Sequence, residues 1–440
     1  SAGSAVDHFT YGYDANSSRL YRTNEVEGTP HALDELYHAN GSTGAYDGLD
    51  RLRDFRRGAL SDADSDGVLD TVIDGATTKR RQAWSLDAVG NWVAFKQDAG
   101  DGSTWDLEQT REHNKANEIA DTDDDQDAIG QGQGQPAWLD PAYDQAGNMT
   151  TGPKPDSPAT PQVCTYDAWN RLMTVSEGSG TPTLIVTYSY DGLNRRIRKV
   201  LAVPNPDVTY DYYYNESWQV LEVRKGGDTD PLEQYVWGVQ YIDAPVVRFR
   251  DGNLDGDLLD TQDNTDSTLY YTYDAQFNVT ALVDTSGTPQ ERYVYDPYGK
   301  VKFLDGSWDE ISSAFDNEVL YCGYRFDPES GLYHVRERYY DPITGTWKTR
   351  DRILYPDGMN LYEYVGGRPL TLVDPQGTEK VDDVWNKLLK ALKEVKKIKD
   401  ATDKTISALE DSVNIEQVLM GGPGASKARE DIVDKYGEKG

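Results

Sequence analysis

Three charged residues in the C-terminal third, Arg338, Asp351 and Asp374, carry the side chains that an acid–base hydrolysis needs. Two carboxylates held close cannot both ionise easily, so one keeps a proton. The ionised one can deprotonate a water while the protonated one polarises a peptide carbonyl. An arginine can hold one carboxylate charged and oriented. Spacing alone favours a plainer reading, with Asp351 and Asp374-Pro375 as turn residues and Arg338 as a structural ion pair.

A second pattern points to metal. Asp62-Ala-Asp64-Ser-Asp66-Gly67-Val-Leu-Asp70 fits the first nine positions of a calcium loop, with carboxylates at 1, 3, 5 and 9 and Gly at 6. The Glu of position 12 is replaced by Ile73, with Asp74 after it. Asp251-Gly-Asn253-Leu-Asp255-Gly256-Asp257 is a looser second copy. Calcium is the candidate cation at both, and an acidic, solvated hairpin tip is the alternative. Asp121-Thr-Asp-Asp-Asp125 lacks the Gly and reads as plain loop. The 5 His are scattered without ligand spacing, and His334 reads as a strand residue. Cys164 and Cys322 read as isolated buried thiols. No cofactor-binding pattern is present and no cofactor is required.

Elements must position these groups, and composition says which. The chain has 440 residues, 76 acidic against 44 basic, and a net charge of −32. That acidity argues against nucleic acid as the main partner, because phosphate binding needs a basic patch. Two Cys build no disulfide scaffold. No stretch of 18 apolar residues exists, so no plain helix spans a membrane. The first residues have neither a basic nor an apolar signal region. The sequence reads as a fragment of a longer chain, with any export signal upstream. A bias to Tyr (30), Gly (40), Asp and Thr with 4 Met points to short strands and tight turns.

Repeats decide the architecture. A Tyr-Asp pair followed by a turn recurs at Tyr13-Asp14, Tyr46-Asp47, Tyr143-Asp144, Tyr166-Asp167, Tyr190-Asp191, Tyr273-Asp274 and Tyr295-Asp296, with Leu86-Asp87 as a degenerate copy. Each copy reads as a hairpin. A β-former ends one strand, Asp opens an Asx-type turn, Gly or Asn takes a positive φ, and an alternating strand resumes. One unit cannot bury both faces, but many in series pair into a long sheet that coils on itself. Tyr on sheet faces and at the turns explains most of the tyrosines; sugar stacking is the rival use.

These repeats resemble the RHS/YD-repeat family. The resemblance strengthens over Gly323-Tyr-Arg-Phe-Asp-Pro-Glu-Ser-Gly-Leu-Tyr333, Arg338-Tyr-Tyr-Asp-Pro-Ile-Thr-Gly-Thr-Trp347, Arg350-Asp351, Asn360-Leu-Tyr-Glu-Tyr-Val365 and Asp374-Pro-Gln-Gly377. That ordered set is similar to the RHS repeat-associated core domain. The resemblance implies a mainly β fold: a spiral of YD-repeat hairpins forming a hollow shell, incomplete if upstream repeats are missing. The associated core plugs one end, and a variable, toxin-type segment follows it. It further implies that Arg338, Asp351 and Asp374 perform one self-cleavage, at Thr378–Glu379, as a single-turnover aspartyl protease at most. The family usually has Leu where Thr378 sits, and a smaller polar residue is expected to slow the cut.

Composition changes at the same bond. Residues 379–440 hold 12 basic and 13 acidic residues, near neutrality after a strongly acidic stretch. Val381, Val384, Trp385, Leu388, Leu392, Val395 and Ile398 recur at helical spacing with lysines between them. The expected organisation is a repeat shell over 1–320, a plug over 321–378 and a small α-helical cargo over 379–440. The expected function is to enclose that C-terminal peptide and release it by autoproteolysis. Its partners are the peptide itself, a delivery-system protein and an immunity protein, and its location is secreted or cell-surface. The rival is a non-catalytic surface adhesion module that binds glycans, is stiffened by calcium and cuts nothing.

Overall fold

A computed structural model describes residues 5–26, 33–37, 45–73, 80–100, 104–123, 127–203, 206–258, 266–354 and 358–378. The helical cargo expected over 379–440 and the carboxylate of Asp74 lie outside the described residues. Within them the chain is mainly β, as expected. The helical elements described are two 3-10 turns, Tyr321–Gly323 and Val365–Gly367.

The strands form antiparallel meanders in chain order. An 8-stranded sheet runs from Phe9–Tyr13 to Ile129–Gln131, and a 14-stranded sheet from Ala142–Tyr143 to Val301–Asp305. Neither sheet closes on itself. A 4-stranded sheet follows, built from Arg325–Asp327, Leu332–Val335, Arg338–Asp341 and Thr346–Trp347.

One turn module explains the meander. At Asp191 a carboxylate oxygen accepts the N–H groups of Leu193 and Arg195, each at 2.9 Å. Asn194, three residues after the aspartate, has φ 70°. The same bonds and the same left-handed position recur at Asp47/Asp50, Asp167/Asn170 and Asp274/Phe277. The strand pairing shifts by one residue at Tyr190, as in a hairpin closed by a bulge.

The tyrosine before the aspartate links one module to the previous one. Tyr190 Oη donates to the carbonyl of Leu172 at 2.7 Å, Tyr214 Oη to Arg196 at 2.8 Å, and Tyr295 Oη to Val279 at 2.8 Å. Each acceptor sits five residues after the preceding turn's Asp. The pair therefore does two jobs: Asp shapes its own turn, and Tyr saturates a carbonyl of the neighbouring hairpin. Two copies are hidden because Asn stands in place of the Asp. His113-Asn114 and Tyr214-Asn215 fold as the same turn, with Asn accepting the amides of Ala116 and Glu118 and of Ser217 and Gln219.

The spiral returns on itself. Arg22 Nη1 lies 2.9 Å from Asp274, Arg80 Nη2 lies 2.6 Å from Asp296, and Thr280 Oγ1 donates to Asp7 at 2.7 Å. The first strands thus pack against the last strands of the long sheet. Residues 321–354 and 358–372 fill the space between the inner faces. Tyr321, Tyr333, Tyr340, Trp347 and Tyr364 share one hydrophobic core with Phe55, Trp84 and Trp92 of the first sheet and Tyr235, Leu269 and Tyr293 of the second. Polar contacts add to it: Tyr333 Oη donates to Gly299, Tyr340 Oη to Tyr298, and Arg111 Nη1 to Thr344. Cys164 and Cys322 are buried free thiols, and His334 lies in the Leu332–Val335 strand.

Candidate active site

The site is built where the 4-stranded sheet meets the last described residues. Arg338 opens the Arg338–Asp341 strand, and its guanidinium is buried over the ring of Trp347, 4.1 Å from the centroid. Nη2 lies 3.1 Å from Asp351 Oδ2 and 3.5 Å from Asp374 Oδ2. The two carboxylate oxygens are therefore no farther apart than the sum of those distances. Nη1 donates to the carbonyl of Leu361 at 3.1 Å, and Nε to the carbonyl of Gly377. One guanidinium thus touches both candidate carboxylates and the carbonyl of the peptide bond immediately before Thr378–Glu379.

The carboxylates are held from several elements. Asp351 donates its N–H to Leu361 O at 3.2 Å, and its Oδ1 accepts from Ile353 N at 2.8 Å. Asp374 donates its N–H to Tyr324 Oη at 2.8 Å, and its Oδ1 accepts from Thr378 N at 3.0 Å. Asp374-Pro-Gln-Gly is a tight turn, closed by Gly377 N–H to Asp374 O at 3.2 Å. Gly377 has φ 70°, and a Cβ there would sit 2.5 Å from Val335 O, so only glycine fits. Arg338, Asp351, Asp374 and Thr378 are all at most 6% exposed. Glu379 lies outside the described residues. Two carboxylates and a cation, buried beside a peptide, are the parts of a peptide-hydrolysing centre; they are equally the parts of a well-made turn.

Tyr324, Leu361 and Trp347 were not singled out from the sequence. Burial pushes the Tyr324 phenol well above its ordinary range, and the neighbouring Asp374 carboxylate adds to this, so it stays protonated. Its own proton remains available for donation while its oxygen accepts the Asp374 amide. Nothing in spacing marks a tyrosine among thirty for this role.

The expected metal residues fall in two loops, which are largely exposed except that Asp251 is buried. Carboxylate oxygens of Asp62, Asp64 and Asp66 lie within 4.8 Å of one another. Asp62 Oδ2 accepts Gly67 N at 2.8 Å, with Ser65 at φ 63° and Gly67 at φ 93°. The second loop has the same mould. Asp251 Oδ2 accepts Gly256 N at 2.9 Å, with Leu254 at φ 61° and Gly256 at φ 90°, while Asn253 Oδ1 accepts Asp255 N. Asp70 turns to its own loop, its Oδ1 accepting Ala63 N at 3.0 Å. The plain-loop reading of 121–125 missed one feature. Glu112 converges with Asp121 and Asp123, their oxygens also within 4.8 Å.

No family model matches the sequence. Over 240 residues the chain is 31% identical to the tRNA3(Ser)-specific nuclease WapA of Bacillus spizizenii, a match covering 54% of this chain and 9% of WapA. It is 29% identical over 261 residues to the toxin subunit YenC2 of Yersinia entomophaga, covering 53% of this chain and 26% of YenC2. The fold matches the crystal structure of TcdB2-TccC3-Cdc42 with a TM-score of 0.60 at 20% identity, over 84% of this chain and 17% of that one. The chain therefore spans a small part of the relatives it matches. Among the described residues no helix is long and apolar enough to cross a membrane.

Proposed function

Because this chain is an RHS/YD-repeat protein with a Tc-toxin-type β shell, we propose that it encloses the polypeptide after Thr378 and frees it by one aspartyl self-cleavage. The observation that carries the reading is the buried junction at Arg338, whose guanidinium meets Asp351, Asp374 and the Gly377 carbonyl. Either carboxylate, ionised, takes a proton from a water that adds to the Thr378 carbonyl carbon. The other, protonated, donates to the carbonyl oxygen. The C–N bond to Glu379 then breaks, the nitrogen takes the proton, and Thr378 ends as a carboxyl group. Arg338 offsets the charge that develops on the carboxylates. The sharp composition change at residue 379 supports the same bond. Delivery by a toxin-type complex, an immunity partner and a secreted or cell-surface location belong to this reading.

Intact-mass measurement on fresh wild-type chain beside Asp374→Asn and Asp351→Asn tests it. Wild type split after Thr378, with both variants whole, is the expected result. A wild-type chain that stays whole would sink the reading and leave a scaffold. The matched backbone of the two Asp-rich loops supports a second role, calcium binding that stiffens hairpin tips. Calcium titration should raise the melting temperature of wild type, and an Asp62→Asn/Asp251→Asn variant should lose that response. An equal rise in the variant would place any calcium elsewhere.

A further inference from the structure

The hairpin that presents Arg338 does more than deliver one guanidinium. Arg336 and Glu337 form its two-residue turn, between the paired Val335 and Arg338. Arg336 donates from Nη1 to Pro375 O, Glu337 N–H donates to Gln376 O at 3.3 Å, and Arg338 donates from Nε to Gly377 O. Three consecutive residues thus hold three consecutive carbonyls, and the next carbonyl along the chain is that of Thr378. Arg336 does this from φ 41°, a left-handed conformation that costs a non-glycine residue roughly 1–2 kcal/mol. A turn that only reversed the chain would place Gly or Asn there.

What fixes Arg336 comes from the long sheet. Asp243 lies between strands Pro231–Trp237 and Pro245–Arg250, far from the site in sequence. Its two oxygens take the guanidinium side-on, Oδ2 3.0 Å from Nη1 and Oδ1 2.5 Å from Nη2, with both side chains buried. Its loop is pressed onto the core segment: a Cβ on Gly323 would sit 2.2 Å from Asp243 O. A bidentate pair of this kind fixes direction as well as charge.

We propose that Asp243 and Arg336 are a positioning pair that registers the Asp374–Thr378 turn against Asp351 and Arg338, so that the shell wall itself sets the cleavage geometry. The inference rests on the self-cleavage reading and adds the wall to it. Neither residue touches the reacting atoms, so both act through placement, where a shift of about 1 Å costs roughly a hundredfold in rate.

The test is the first-order rate of cutting in the full chain, followed by intact mass after refolding from denaturant. Asp243→Asn keeps the shape and is expected to slow cutting about tenfold or more. Asp243→Asn/Arg336→Met removes both charges together, leaving neither buried alone, and should slow it about a hundredfold or more. Arg336→Lys keeps a donor and should stay within about tenfold of wild type. Hydrogen exchange should show lost protection at 374–378 while the strands at 183–201 stay protected. Wild-type cutting with an unchanged rate in the double variant would overturn the pair and spare the self-cleavage reading. A wild-type chain that never cuts would end both. Loss of protection across 183–201 in the double variant shifts the decision to Asp243→Asn, whose cutting at the wild-type rate would overturn the pair.

Discussion

At the scale of single residues, Thr378 is the informative position. Its side chain is buried, its N–H is committed to Asp374 Oδ1, and the resemblance expects Leu there. Burying a larger apolar side chain in a site that accepts it contributes about 1–2 kcal/mol. Thr378→Leu should therefore speed cutting about tenfold if the pocket is shaped for Leu, read by the time course of intact mass. An unchanged or slower rate would mean that the site has adapted to Thr. The roles of Arg338, Asp351 and Asp374 were open to sequence reading only through the ordered motifs around them. Residues 13 and 36 positions from Arg338 have no helix or strand period to bring them together; two loops folding back on one strand do it. Tyr324 and Asp243 were invisible for the same reason, since each reaches the site through tertiary packing alone.

At the scale of the element, the hairpin repeat was legible because its chemistry is local. An Asp accepting two amides ahead of it needs only a few residues, so each Tyr-Asp announces its own turn. Tyr214→Phe should isolate the linking bond. The ring stays and the carbonyl of Arg196 loses its donor, a cost of about 1–2 kcal/mol. A denaturant midpoint equal to wild type would show that water replaces the hydroxyl. The turns also have a pH signature. Burial alone would raise the Asp167 and Asp191 carboxyls, but hydrogen bonds from Arg171 and Arg195 and the turn amides bring both below the ordinary value. A lowered carboxyl contributes stability above the unfolded value and loses it as pH falls through the folded one. The hairpins should therefore loosen only in acid, below about pH 4, and circular dichroism on titration would show it. The copies at Asn114 and Asn215 escaped notice because Asn replaced the signal residue while keeping the accepting oxygen. Those two turns have no carboxyl to lose.

At the scale of the whole molecule, the shell and the segment inside it are joined by buried charge. Arg196 and Lys199 of the long sheet meet Asp327 and Glu329 of the enclosed segment and Glu318 just before it, with Lys199 Nζ 2.5 Å from Glu318 and 3.5 Å from Glu329. Arg325 joins this knot, its Nη1 2.7 Å from Glu318, so three cations face three carboxylates. Burial, together with the Asp327 and Glu318 charges, pushes Glu329 up to about 7, although Lys199 opposes it. Glu318 moves the other way: burial would raise it, but Lys199, Arg325 and Arg196 together hold it below the ordinary range. A carboxyl raised in the folded state holds a proton there that the unfolded chain has released. Its contribution to stability is thus greatest in mild acid and falls as pH rises from about 4.5 to about 7. Glu318 contributes nothing to that window, because its own loss begins below the unfolded value. His113, lowered to about 4 by burial and Arg111, and His334, also lowered by burial, run opposite in sign, since both must charge in acid. The net profile of wild type mixes these effects, and a variant separates them. Glu329→Gln keeps the shape and cannot ionise. Relative to wild type it should gain stability as pH rises from 5 to 8, by on the order of 1–3 kcal/mol. Melting temperatures of the two chains at pH 5, 6, 7 and 8 decide this. A gap that does not widen with pH would mean that Glu329 is ionised throughout and that Arg196, Lys199 and Arg325 together balance all three carboxylates. A widening gap would mean that the hold of the shell on the enclosed segment is tuned by a single proton near neutrality.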